Sequence, residues 1–262
     1  MSFKDIKDYK LIKVLGKGSS STVFLGLHKK TKERVAVKKI DTVSYRNKSE
    51  ALLRFKKEAE IISELSHPNI LQIYEVIETE DALYLVMEYF EGKTLKESFS
   101  EFTLNQKIFI IKEVASALIS IHKNNIVHMD LKPGNILVKD GDSVEIRLID
   151  FGLAHLIDLK NYYYQGTIIG SFNYISPEQT GVLNRTVDNR SDLYSLGVSF
   201  YEILSGTIPF SDKDIGKLIH KHLAGKAKSP SFYNEEIPKV LDEIVLKLLK
   251  KEPGDRYHLL RV

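Results

Sequence analysis

The sequence predicts an α+β protein in two parts: a small five-stranded antiparallel β lobe with one helix, and a larger, mainly helical lobe. Three observations carry this. Between residues 9 and 40 apolar and polar residues alternate in short runs separated by turn signals, which is the period of strands. From Leu104 onward apolar residues recur at helical spacing. Around Glu88–Gly92 one pattern gives way to the other over a short extended stretch with no room for a further domain.

Tyr9–Leu15, Thr22–Leu27 and Arg34–Ile40 are the first three expected strands. Residues 41–50 are polar and read as a loop. Ala51–Leu65 then takes up helical period, with Phe55, Ala59 and Ile62 on one face, until His67-Pro68-Asn69 breaks it. Ile70–Ile77 and Leu83–Met87 complete the five strands. In the second part Leu104–Asn124 is long and amphipathic, and Val240–Lys250 is a shorter amphipathic helix. Ser191–Leu204 is apolar nearly all round, which places it at the centre of its lobe. Two short strand-like pieces, Ile136–Val138 and Val144–Ile149, fall between the first two of these helices and bracket a polar cluster.

The chain has 262 residues, 43% hydrophobic and 28% charged, enough for two sizeable cores and ordinary for a soluble domain. A net charge of +3, with Lys and Glu interleaved, argues against nucleic acid as a partner. No apolar run has membrane-spanning length, and Met1-Ser2-Phe3-Lys4-Asp5 lacks a signal-peptide core, so a cytoplasmic segment without membrane contact is expected. The absence of cysteine excludes disulfides and thiolate metal sites.

The polar cluster is the informative part. His128-Met129-Asp130-Leu131-Lys132-Pro133-Gly134-Asn135 is followed by Asp150-Phe151-Gly152. Phosphoryl transfer from ATP needs a carboxylate to orient a hydroxyl, a cation on the moving phosphoryl group and oxygen ligands for magnesium, and these residues supply them in order. Upstream, Gly16-Lys17-Gly18-Ser19-Ser20-Ser21-Thr22-Val23 links the first two strands, where glycines permit a tight turn and close approach of backbone amides to phosphate. In Val35-Ala36-Val37-Lys38 the alternation of strand side chains puts Ala36 and Lys38 on one face. Lys38 needs a carboxylate. Glu58 points from the buried helix face, whereas Glu60 turns to solvent.

Together these motifs resemble the eukaryotic-type Ser/Thr protein kinase domain over roughly residues 9 to 257. The resemblance implies a bilobal kinase fold, with an N-lobe of about residues 1–88, a hinge of about 88–92 and a C-lobe of about 93–262. It makes Asp130 the residue that orients the acceptor hydroxyl and Lys132 the cation on the transferring group. Asn135 and Asp150 become the magnesium ligands, with Mn2+ as the alternative ion. Lys38, aimed by Glu58, is assigned to the α- and β-phosphates. Leu15, Gly16, Gly18, Ser21, Val23, Ala36 and Leu137 surround ATP, with Met87 as gatekeeper, while Glu88 offers a carbonyl and Phe90 an amide to adenine. His128 is implied to be a buried structural residue stacked on Phe151, and Asp192 the anchor of the catalytic-loop backbone. Lys132 also matches members that act on Ser/Thr instead of Tyr. Gly170-Ser171-Phe172-Asn173-Tyr174-Ile175-Ser176-Pro177-Glu178 resembles the end of an activation segment, with Ser171 bonded to the catalytic residues and Arg256 paired with Glu178.

More narrowly, Pro177-Glu178-Gln179-Thr180-Gly181 and Arg190-Ser191-Asp192-Leu193-Tyr194-Ser195 look like the N-terminal kinase module of large bacterial multidomain signalling proteins. Further domains in the same gene product and a protein substrate with a Ser/Thr acceptor are the partners this implies. Three departures stand out. Ser21 occupies the place of the family's third glycine, and Met129 that of the arginine which normally receives an activation-segment phosphate. The sequence also ends a few residues after Arg256, so a C-lobe cut short of its final helix is expected. A nucleotide-binding pseudokinase and a small-molecule kinase are the alternatives. Retention of the six polar site residues opposes the first, and the activation segment opposes the second.

Overall fold

The structure is a computed structural model that describes residues 5–18, 21–41, 56, 59–60, 62–79, 82–150, 170–183 and 185–258. Of the loop expected at 41–50, Asp41 ends a strand instead and the rest lies outside them, as do most of the helix expected at Ala51–Leu65 (with Phe55 and Glu58) and residues 151–169. The chain divides into two compact units, Met1–Glu91 and Gly92–Val262.

The first unit is built on a five-stranded antiparallel sheet of order β1-β2-β3-β5-β4. Its strands are β1 Tyr9–Lys17, β2 Ser21–His28, β3 Arg34–Asp41, β4 Ile73–Glu78 and β5 Ala82–Glu88. The strand expected from Ile70 starts three residues later, because the Ile70 amide turns back to the His67 carbonyl at 3.0 Å. Ile70 and Leu71 are buried all the same, and Ile70 makes only an isolated bridge, so the hydrophobic signal there reflects packing more than strand pairing. One sheet face is closed by Tyr9, Leu11, Val35, Val37 and Val86. The residues between them on β3, Ala36 and Lys38, therefore occupy the other face. Ala59 and Ile62 are buried and Glu60 is exposed, as helical spacing requires.

In the second unit a three-stranded sheet of order β6-β7-β8 (Lys93–Thr94, Ile136–Lys139 and Glu145–Leu148) sits among helices. The helices are α1 Leu95–Ser98, α2 Leu104–Lys123, α3 Asn189–Ser205, α4 Ile215–Ala224 and α5 Lys239–Leu248. Both α1 and α2 open with reciprocal capping boxes, Thr94 with Glu97 and Thr103 with Gln106, which satisfy N–H groups that a helix start leaves unpaired. Every residue from Ser191 to Leu204 in α3 is buried. Gly197 is where α3 and α5 touch: a Cβ there would stand 2.7 Å from Leu248 Cβ, too close for any side chain. The short elements β6 and α1 are too brief to show a hydrophobic period, whereas α4 was legible and missed: Ile215, Leu218, Ile219 and His222 recur at helical spacing. Asp214, whose side chain accepts from the Lys217 amide at the start of α4, marks its N-terminus as well.

Candidate active site

In the first unit the strand register brings several sequence-predicted residues together. The β1–β2 hairpin closes with the Gly18 amide donating to the Ser21 carbonyl at 2.8 Å. Shifts in register along β1 bring Gly16 opposite Val23. Leu15, Gly16 and Gly18 are exposed. Val23 lies opposite Lys38, and Ala36 opposite Met87. Directly opposed residues of an antiparallel pair share a face, so Val23, Ala36, Lys38 and Met87 present themselves together. Lys38 is only 9% exposed. Glu58, its expected partner, lies outside the described residues. Glu88 ends β5 with its amide bonded to the Gln72 carbonyl at 2.9 Å, and Phe90 follows half-buried.

The second unit places the remaining residues around the turn before β7. Asp130 Oδ2 accepts from Lys132 Nζ at 2.6 Å and from Asn135 Nδ2 at 2.9 Å. Asn135 Nδ2 also reaches the Asp130 carbonyl at 2.8 Å. Among the described residues Asp130 Oδ1 takes no hydrogen bond, so one carboxylate oxygen is clamped and the other stays open. The Ile149 amide donates to the Asn135 carbonyl at 2.9 Å, beside the Ile136–Leu148 pairing of β7 and β8. This ladder sets Asn135 and Asp150 at the same end of one hairpin. Asp150 has a left-handed backbone, φ +58°. Leu137, half-buried on β7, pairs with Thr94 and Arg147.

Asp192, fully buried in the first turn of α3, holds this loop from beneath. Its carboxylate accepts from the amides of His128 at 2.8 Å and Met129 at 2.9 Å, and from His122 Nε2 at 2.8 Å. His128 has no exposed surface, and its Nε2 is bonded to the Ile149 carbonyl at 3.1 Å. Burial pushes its pKa below the usual histidine value, outweighing the nearby Asp192, and a neutral buried ring suits a structural residue. Glu178 and Arg256 form a fully buried fork, 2.6 and 2.9 Å, joined by Ser191 Oγ at 2.7 Å. Burial alone would raise the Glu178 carboxyl, but the Arg256 hydrogen bonds and charge, with Ser191, hold it below the usual range.

The protein kinase domain model matches residues 9–261. The chain belongs to the protein kinase family. This kinase domain is 38% identical over 252 residues to a probable serine/threonine-protein kinase of Clostridium perfringens, covering 95% of this chain and 36% of that protein. It is 34% identical to serine/threonine-protein kinase PrkC of Bacillus subtilis, covering 95% of this chain and 38% of that protein. With PknB of Mycobacterium leprae it shares 36% identity, covering 95% of this chain and 40% of that protein. The chain thus spans little more than a third of these curated relatives. The crystal structure of Rad53 residues 1–466 in complex with AMP-PNP superposes with a TM-score of 0.79 at 27% identity, covering 97% of this chain and 63% of that one.

Several contacts of the kinase domain escaped sequence reasoning. Gln179 Nε2 donates to the Met129 carbonyl at 2.9 Å. The buried Glu202 carboxylate accepts from Tyr174 Oη at 2.6 Å and pairs with Lys96. Arg185 and Arg190, whose positions the sequence leaves open, are both committed to carboxylates, Arg185 to Glu252 and Arg190 to Asp188. Only the His122 ring had a signal of sorts, a histidine at the buried end of an amphipathic helix.

Proposed function

We propose that this kinase domain is an active, ATP-dependent serine/threonine protein kinase that transfers the γ-phosphoryl group to a protein hydroxyl. The observation that carries the reading is the asymmetric Asp130 carboxylate, one oxygen fixed by Lys132 and Asn135 and the other open. An open oxygen on a fixed carboxylate can accept the proton of a serine or threonine hydroxyl and orient its lone pair for attack. Lys132, a few ångströms away, can shift its ammonium from Asp130 to the transferring phosphoryl group and offset the charge gathering there. Lys38 would bind the α- and β-phosphates with Glu58 aiming it. Val23, Ala36 and Leu137 would pack the purine, and the Glu88 carbonyl and Phe90 amide would read its edge. The Gly16–Ser21 turn, with Leu15 beside it, would cover the phosphates through backbone amides.

The donor set of Asn135 and Asp150, oxygen only and fixed at one hairpin end, suits a hard cation that takes few protein ligands and keeps waters and phosphate oxygens. These two residues would hold Mg2+, or Mn2+, which when bound screens the phosphate charge. Protein substrates carrying Ser or Thr, and further domains joined to this one as the length of its relatives suggests, complete the reading. No helix among the described residues is long and apolar enough to cross a membrane. The test is transfer of label from ATP to generic protein substrates with and without Mg2+. Metal-dependent labelling of Ser or Thr is expected. Tight nucleotide binding with no transfer to any protein would refute the reading.

A further inference from the structure

Asp130 is preceded by a strained turn, and that strain needs an owner. The Asp130 amide donates to the His128 carbonyl at 2.9 Å, closing a three-residue turn around Met129. Met129 has φ +69°, the rare form of this turn that side-chain-bearing residues avoid. Such a backbone persists only where its surroundings over-determine it. The peptide unit joining Met129 to Asp130 is fastened at both ends. Its N–H is held by the His128 carbonyl. Its C=O is held by Gln179 Nε2 at 2.9 Å, from a residue 50 positions away. The Met129 amide is separately bonded to Asp192 at 2.9 Å.

Gln179 is itself prevented from turning. Its Oε1 accepts from the Ser176 amide at 3.1 Å, and its own amide donates to the Ser176 carbonyl at 3.1 Å. With the oxygen so engaged, the NH2 group faces Met129, where it also lies 3.9 Å from the sulfur. The side chain is 9% exposed, and its neighbour Glu178 is locked by Arg256. A neutral amide therefore joins the end of the activation segment to the peptide plane that aims the Asp130 side chain.

We propose that Gln179 is a positioning residue for phosphoryl transfer, its amide holding the Met129 turn in the form that presents Asp130 to the acceptor hydroxyl. This rests on the phosphoryl-transfer reading above and adds to it a neutral link at a position where the family resemblance leads one to expect an arginine and a phosphate. The link needs neither.

Gln179→Glu keeps the size and the oxygen for Ser176 but sets an acceptor against the Met129 carbonyl. Gln179→Met keeps the volume and removes both hydrogen bonds. In both, kcat should fall about tenfold while the KM for ATP stays within about twofold, since one hydrogen bond of roughly 1.4 kcal/mol corresponds to that change. Hydrogen exchange resolved at the Asp130 amide should quicken by a similar factor, with the melting temperature little changed in the Glu variant. Parental kcat and parental exchange at Asp130 in either folded variant would overturn the proposal. So would loss of the folded state in both, which would assign Gln179 to the scaffold alone. If the parent labels no protein, the kinase reading fails, and exchange at Asp130 still decides whether Gln179 holds the turn.

Discussion

The glycine-rich hairpin of the first unit and the catalytic loop of the second are both assigned to phosphate, yet they are held in opposite ways. Near its tip the hairpin is a backbone ladder with the β1 side chains turned to water: Ile12, Val14 and Leu15 are each about 40% exposed or more, and a Cβ at Gly16 or Gly18 would meet nothing beyond Ser21. The catalytic loop is tied by two side chains from distant parts of its unit, Asp192 and Gln179, and closer by through Asn135 and the Ile149 backbone. A group that must sit within a fraction of an ångström of a reacting hydroxyl needs independent tethers. A cover over phosphates needs only donors on a backbone able to follow them. The tethers of the second unit lie where the proposed transfer needs fixed geometry.

Substitutions can break or sharpen that contrast. The largest effect belongs to Asp130→Asn, which leaves the tethers in place and removes the proton acceptor. Transfer should fall by about a thousandfold or more while ATP affinity, read by calorimetry, stays near parental. Near-parental turnover would remove Asp130 from the mechanism. Asp192→Ala strips the loop of its buried anchor and leaves two backbone amides and His122 without their acceptor. A loss of about 3–5 kcal/mol in denaturant unfolding is expected. A loss below about 1 kcal/mol would mean that the loop does not depend on α3.

Arg256→Gln tests the next layer, because it strands Glu178 in the core at a cost of about 3 kcal/mol at neutral pH. Its pH dependence has a definite sign. In the parent the Glu178 carboxyl is held below its ordinary value, so its contribution is complete above the unfolded carboxylate range and fades as pH falls through the lowered value. Without Arg256, burial is opposed only by the Ser191 hydroxyl and the backbone and the carboxyl moves up, so the gap between variant and parent should narrow on acidification. A gap that stays constant with pH would show that the charge on Glu178 is not what Arg256 serves. Gly18→Ala probes the loosely held side. A Cβ there would make an ordinary 3.5 Å contact with Ser21 Oγ. Stability should move by no more than about 0.5 kcal/mol, with any kinetic change appearing in the KM for ATP. The smallest effect is expected from Thr167→Ala and from phosphatase treatment, since Met129 carries no charge needing a phosphate and Arg185 and Arg190 are already paired. A fall of several tens of fold in specific activity, or roughly 2 kcal/mol in the barrier, would reveal a phosphate pocket outside these groups.

The sequence by itself determined the class of fold, the pairing face of Ala36 and Lys38, the buried character of Ser191–Leu204 and the identity of the polar loop. Each is written in local periodicity or in a motif whose spacing is set by neighbours along the chain. Asp192 beneath the loop and Arg256 against Glu178 were legible only through the family resemblance, since no local pattern links residues 64 or 78 positions apart. Tertiary structure alone decided the rest. One strand start moved where a turn claimed an amide, at Ile70. The capping boxes of α1 and α2 stood in the sequence, but α1 is too short for its period to show. The left-handed turn at Met129 and the amide of Gln179 that fastens it are invisible in sequence. A glutamine carries no periodicity and no charge, and its partner is a backbone carbonyl that every residue possesses. Only the folded chain brings that carbonyl within 2.9 Å of a side chain whose other end is already held.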